Sequence, residues 1–152
     1  MTRHALLGLI LLGSVCAARP AAATSCGFNS VTPVAFGTYD VFSATPDDAV
    51  GQFIFQCSVV FALDSIKINL STGSSGTYSA RTLQNGVNTL SYNLYLDAAR
   101  SSVWGDTNNG TAQYTSGLNL FAITVPIYGR IPARQNAKAG NYTDTVVITM
   151  LF

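Results

Sequence analysis

Apolar and polar residues alternate with a period of two along much of this chain. In Ser65–Ser71, Ile66, Ile68 and Leu70 interleave with Lys67, Asn69 and Ser71, which is the pattern of a strand with one buried and one wet face. Comparable runs predict strands over Val31–Asp40, Val50–Ser58, Leu90–Asp97, Leu118–Tyr128 and Tyr142–Phe152, with shorter pieces near Arg81–Gln84, Val103–Trp104 and Ala112–Tyr114. Turn residues fall between them: Thr72-Gly73-Ser74-Ser75-Gly76, Asn85-Gly86, Asp106-Thr107-Asn108-Asn109-Gly110 and Ala139-Gly140-Asn141. Each group supplies residues that accept positive φ or bond to their own backbone. Pro33 and Pro126 lie inside strand candidates, so edge positions or bulges are expected there. Thr45-Pro46-Asp47-Asp48 reads as a surface turn. No segment after the first 23 residues is helical in both period and composition. About seven short strands in about 130 residues predict an all-β, antiparallel β-sandwich.

The start of the chain follows a different rule. Thr2-Arg3-His4 is a short positive segment, Ala5 to Ala18 is apolar throughout, and Ala21-Ala22-Ala23 offers a small-x-small cleavage site. Residues 1–23 are therefore expected to be a signal peptide, with residues 24–152 as one folded domain. The apolar run is shorter than the roughly 20 residues that span a bilayer. Cys16 follows Val15 rather than the small residue a lipoprotein signal wants, and it leaves with the leader. That leaves Cys26 and Cys57, and an even pair in an exported domain is expected to form a disulfide.

Charge and residue inventory then exclude several functions. Six cations, Lys67, Arg81, Arg100, Arg130, Arg134 and Lys138, face seven aspartates and no glutamate after the leader. Such a balance carries no electrostatic footprint for nucleic acid or for anionic membrane. The single histidine, His4, lies in the leader, so the domain has no Ser–His–Asp or Cys–His pair and no ordinary zinc site. The aspartates are scattered through turns rather than paired for sugar hydrolysis. No cofactor and no metal are expected, and the chain reads as a non-enzyme. Asp97 and Arg100, three apart, are expected to form a turn-stabilising ion pair.

The C-terminal strand is the most informative physical feature. Val146, Ile148, Met150 and Phe152 form one continuous apolar set, and no polar tail follows. Burying each side chain is worth roughly 1.5–3 kcal/mol, so whatever pairs with this strand matters to the whole fold. An internal strand of a complete sandwich, a barrel strand and a strand awaiting a partner all fit that pattern.

Further motifs narrow the choice. Tyr92-Asn93-Leu94-Tyr95-Leu96-Asp97-Ala98-Ala99-Arg100 followed by Val103-Trp104-Gly105, then Val125-Pro126-Ile127-Tyr128-Gly129-Arg130-Ile131, then Ala139-Gly140-Asn141-Tyr142-Thr143-Asp144-Thr145-Val146, occur in order. Together with Cys26, Phe36-Gly37 and Cys57, they resemble the spore coat protein U family, which includes the Csu-type pilins of archaic chaperone–usher pili. The resemblance implies an immunoglobulin-like sandwich lacking its final strand. It also implies completion by a strand lent first by a periplasmic chaperone and then, at the outer-membrane usher, by a neighbouring pilin or coat subunit. On that reading Val146, Ile148, Met150 and Phe152 belong to the chaperone and subunit interface. The expected destination is the cell surface, a pilus or a spore coat, without membrane insertion. Only Thr24 and Ser25 precede Cys26 after cleavage. The subunit is thus expected to be terminal, or a coat protein that associates differently, or to donate from beyond Cys26. An adhesive, lectin-like tip domain is the alternative, with Tyr78, Trp104 and Tyr114 as ligand contacts if they gather at one exposed end.

Overall fold

The computed structural model describes residues 25–58, 65–117 and 121–151. Eight strands run in order: β1 (Ser25–Thr32), β2 (Asp47–Ser58), β3 (Ile66–Leu70), β4 (Arg81–Asn85), β5 (Asn88–Tyr95), β6 (Tyr114–Ser116), β7 (Ile123–Ile131) and β8 (Ile148–Leu151). Two single-turn 3₁₀ segments, Gly73–Ser75 and Asn108–Gly110, are the helical elements among the described residues. The strands form a five-stranded sheet, β1-β2-β7-β5-β4, and a three-stranded sheet, β6-β3-β8. Every strand pairing is antiparallel, as the alternation predicted.

The core lies between the sheets and follows the period-two pattern. Phe53, Phe55 and Cys57 of β2, Ile66, Ile68 and Leu70 of β3, Leu90, Tyr92 and Leu94 of β5, and Val125, Ile127 and Ile131 of β7 are all buried. Trp104 completes it with no exposed surface, and its indole N–H donates to the Ile68 carbonyl at 2.9 Å. That bond removes the cost of burying a lone donor. Arg81 is equally buried. Its guanidinium donates to the Ser71 carbonyl through Nε (2.9 Å) and Nη2 (2.8 Å), to the Trp104 carbonyl (2.7 Å) and to Asn93 Oδ1 (2.6 Å).

Cys26 and Cys57 are bonded and are direct cross-strand partners in the β1–β2 register. Closing this 31-residue separation is worth roughly 3–4 kcal/mol in the chain-entropy picture. It matters locally because β1 buries almost nothing else: its other residues are exposed, and Phe28 meets only the edge of Phe53 at 5.5 Å.

Several strand limits differ from the sequence expectation. The first strand, expected over Val31–Asp40, is β1 at Ser25–Thr32, and it stops at Pro33, which has no N–H for a ladder. The chain then crosses the inner face of the larger sheet. A Cβ at Gly51 would sit 2.7 Å from the Thr32 carbonyl oxygen, and one at Gly129 would sit 2.6 Å from Val34 and 2.7 Å from Phe36. Those two glycines are what permit the crossing. The strand expected over Leu118–Tyr128 is β7, displaced to Ile123–Ile131, and residues 118–120 lie outside the described set. Pro126 sits where β7 has β2 on one side and β5 has already ended, so a centrally placed strand tolerates it. The expected surface turn at Asp47-Asp48 is instead the start of β2.

Candidate functional site: a cleft between two unpaired edges

Two extended segments leave the ladders and face each other across a gap. Residues 33–40, beyond the crossing, belong to no strand, and neither do residues 141–147, apart from a single bridge. That bridge joins Thr143 and Gln84, with N–H···O distances of 2.8 and 3.1 Å. No backbone hydrogen bond joins the two segments. Past them the free edge continues, because β8 has β3 on one side and, among the described residues, no strand on the other.

Between the segments lies a cleft of about 980 Å³. Val34, Phe36 and Tyr39 line one wall, Leu83, Leu90 and Ile131 form the floor, and Ala137 to Asp144 form the opposite wall. Its apolar residues pack against the core without closing over it. The far end of the first wall is tied down by Tyr39, whose hydroxyl donates to the Pro132 carbonyl and accepts from the Gln135 amide, both at 2.8 Å. Gln135 in turn bonds both backbone groups of Ser91, at 2.9 and 2.7 Å.

The second wall is held by Asp144. Its Oδ1 accepts from the Ser74 amide (2.8 Å), the Ser74 hydroxyl (2.6 Å) and the Thr145 amide (2.8 Å), and its Oδ2 accepts from the Tyr92 hydroxyl (2.7 Å). Burial works to raise the pKa of this carboxyl, but the hydrogen bonds from Ser74, Tyr92 and Thr145 outweigh it and hold the group below the ordinary aspartate value. Burial and the bond to Asp144 push the Tyr92 phenol the other way, upward.

Of the residues expected at the interface, Val146, Ile148 and Met150 are half-buried and face the core, while Val147 and Leu151 turn outward, 58% and 47% exposed. Phe152 lies outside the described residues. The cleft runs along 137–144, just upstream of this set. Of the three aromatics proposed as ligand contacts, Trp104 is fully buried, and Tyr114 packs on it and on Phe55 at ring distances of 6.1 and 6.4 Å. The Tyr78 hydroxyl donates to the Leu70 carbonyl at 3.1 Å. Trp104 and Tyr114 are thus brought together, Trp104 wholly interior and Tyr114, like Tyr78, half-buried.

The ion pair expected between Asp97 and Arg100 does not form. Asp97 instead caps its loop, accepting from the amides of Ser101 and Ser102. Arg100, at φ 58°, reaches the Gly129 carbonyl at 3.0 Å and Asp48 at 3.2 Å, and Arg130 grips the same Asp48 carboxylate at 2.7 and 2.8 Å. Among the described residues no group of three or more His, Cys, Asp or Glu side chains could hold a metal ion, and no helix is long and apolar enough to cross a membrane.

The Spore Coat Protein U domain matches residues 12–149, nearly the whole chain. The chain belongs to the spore coat protein U domain family. Protein U of Myxococcus xanthus is 38% identical to this spore coat U domain over 130 residues, covering 77% of this chain and 70% of that protein. In shape the domain is similar to a chain in the chaperone–tip adhesion subunit pre-assembly complex of the archaic chaperone–usher Csu pili of Acinetobacter baumannii. The TM-score is 0.58 at 18% identity over 86% of this chain, which shows a common fold. This spore coat U domain spans 40% of the length of that solved chain.

The sequence motifs pointed to the wall at Ala139–Val146 and to Phe36-Gly37. They gave no sign of Leu83, Leu90 and Ile131 as the cleft floor. Those positions alternate like any core residue, and only the missing neighbour distinguishes them.

Proposed function

We propose that this chain is a structural subunit of a bacterial surface pilus or spore coat, and that it is completed by an extended strand lent along the cleft. A periplasmic chaperone lends that strand during export. At the outer-membrane usher, a neighbouring pilin or coat subunit replaces it. The chemistry is strand exchange, with no covalent bond made or broken.

The observation that carries this reading is the pair of unpaired edges flanking an apolar cleft. Neighbouring strands lie about 4.7–4.9 Å apart, so an extended segment that fills the gap would pair with both walls. Its main-chain groups supply affinity, and its alternate side chains fill the floor above Leu83, Leu90 and Ile131. Left empty, the same edges are sites for uncontrolled pairing with other chains. Family membership and the fold shared with a subunit captured beside its chaperone support the same role. Of the three aromatics that an adhesive reading needs at an exposed end, Trp104 is fully buried, so that reading loses this contact.

Export of the full chain alone and together with a candidate periplasmic chaperone tests the proposal. Recovery only with the chaperone, or a Tm far higher in the complex, is the expected result. A monomer that unfolds cooperatively and gains nothing from the chaperone would show that the sandwich needs no further strand.

A further inference from the structure

An empty apolar cleft flanked by two unpaired edges should not stay open unaided. Closing it buries Val34, Phe36 and Tyr39 against Tyr142 and lets the two edges pair with each other. Something must therefore hold the walls apart. Two of the hydrogen-bond partners of the Asp144 carboxylate, Ser74 in the turn after β3 and the adjacent Thr145 amide, lie on the side of the 141–147 wall, and the third, Tyr92 on β5, also holds its ring against Phe36 of the 33–40 wall at 5.9 Å. A Cβ at Gly73 would collide with this carboxylate, so the turn closes on it with no space to spare.

A second anchor works in the same direction. Ser71 and Val147 form only half of a normal backbone pair. The Ser71 amide donates to the Val147 carbonyl, but the Val147 amide donates to the Ser71 hydroxyl, both at 2.9 Å. The Ser71 carbonyl is occupied by the buried Arg81 guanidinium. The ladder to β3 is thus interrupted where the wall begins, while the wall stays fastened to the β3–β4 side.

Building on the strand-exchange reading, we infer that Asp144 is a positioning residue that keeps the 141–147 wall drawn back and the cleft open in the free subunit. It does so through the turn at Ser74 and through the Tyr92 hydroxyl of β5. An asparagine at this position keeps the acceptor for Ser74 and Thr145 and offers an N–H to the Tyr92 oxygen, so it substitutes for the carboxylate. An alanine does not.

The test measures the distance between nitroxides attached at Thr38→Cys and Asn141→Cys, both exposed residues on opposite walls, in the free full-length chain. Asp144→Ala is expected to shorten the mean separation by about 5 Å, one inter-strand spacing, and Asp144→Asn to leave it as in the wild type. Tyr92→Phe, which removes one donor and keeps the ring, provides a second variant should the alanine chain fail to fold, and a partial shortening is expected. An unchanged separation in Asp144→Ala, or in Tyr92→Phe where that variant stands in for it, would overturn the inference. So would an equal change in the asparagine and alanine chains. The distances are read without any partner, so a failure of strand lending itself, seen as no gain from the chaperone, remains a separate result.

Discussion

The β2–β7 centre and the 33–40/141–147 margin of this molecule are built from the same alternating pattern, yet they behave as opposites. At the centre, Phe53 and Phe55 belong to the buried core with Val125, and β2 is paired on both sides from Gln52 to Phe55. At the margin, Val34 and Phe36 alternate just as regularly and pack on the core, but their backbone has no strand partner among the described residues and they line the cleft. The difference lies in what stands next to each segment, not in the segment itself. Stability belongs to the closed half, and the capacity to accept a partner belongs to the open half.

The largest expected effect comes from breaking the closed half. Phe53→Ala removes a fully buried ring that packs on Phe28, Phe55 and Trp104, and should destabilise the chain by about 3–5 kcal/mol. Denaturant unfolding of the free chain and of its chaperone complex should register that loss equally. A smaller effect is expected where the two halves meet. Gly129→Ala places a methyl group against Val34 and Phe36, so the crossing must shift, at about 1–3 kcal/mol. Because the crossing leads into a cleft wall, chaperone affinity should fall by more than the free chain's stability does, and titration calorimetry beside denaturant unfolding separates the two.

The smallest effect concerns pH. The Asp144 pKa is lowered in the folded state, so its contribution is fully present above the unfolded value of about 3.8 and is lost as pH falls through the folded one. Acid titration of stability should therefore be flat for this group at neutral pH and decline only below about pH 4. Asp144→Asn should show a shallower decline there. Asp48, lowered by its hydrogen bond to Arg130, titrates in the same direction and remains in both chains.

How much of this was legible depended on whether a residue's role was local. Ile66, Ile68 and Leu70 announced β3 because a buried face and a wet face alternate there whatever lies alongside. β1 was missed because it buries little beyond Cys26, so Gly27, Asn29 and Ser30 leave no hydrophobic period. Val31–Asp40 looked like one strand because crossing over the core also needs apolar residues, at Val34 and Phe36. Tyr142–Phe152 was found as a segment, but its division into a free wall and a short ladder depends on Ser71 and Arg81, some 60 residues earlier. Arg100 was assigned to Asp97 by spacing, whereas its partner, Asp48, is remote in sequence and adjacent only through the β2–β7 register.

The most direct test of the account is amide hydrogen exchange across residues 34–40 and 141–147, measured in the free chain and again with the chaperone bound. The account predicts that, apart from Thr143, Thr145 and Val147, whose amides are already bonded, both segments exchange fast in the free chain and gain strong protection when the cleft is filled, with the β2–β7 centre protected throughout. Protection of both segments already in the free chain, or no change when the chaperone binds, would contradict it.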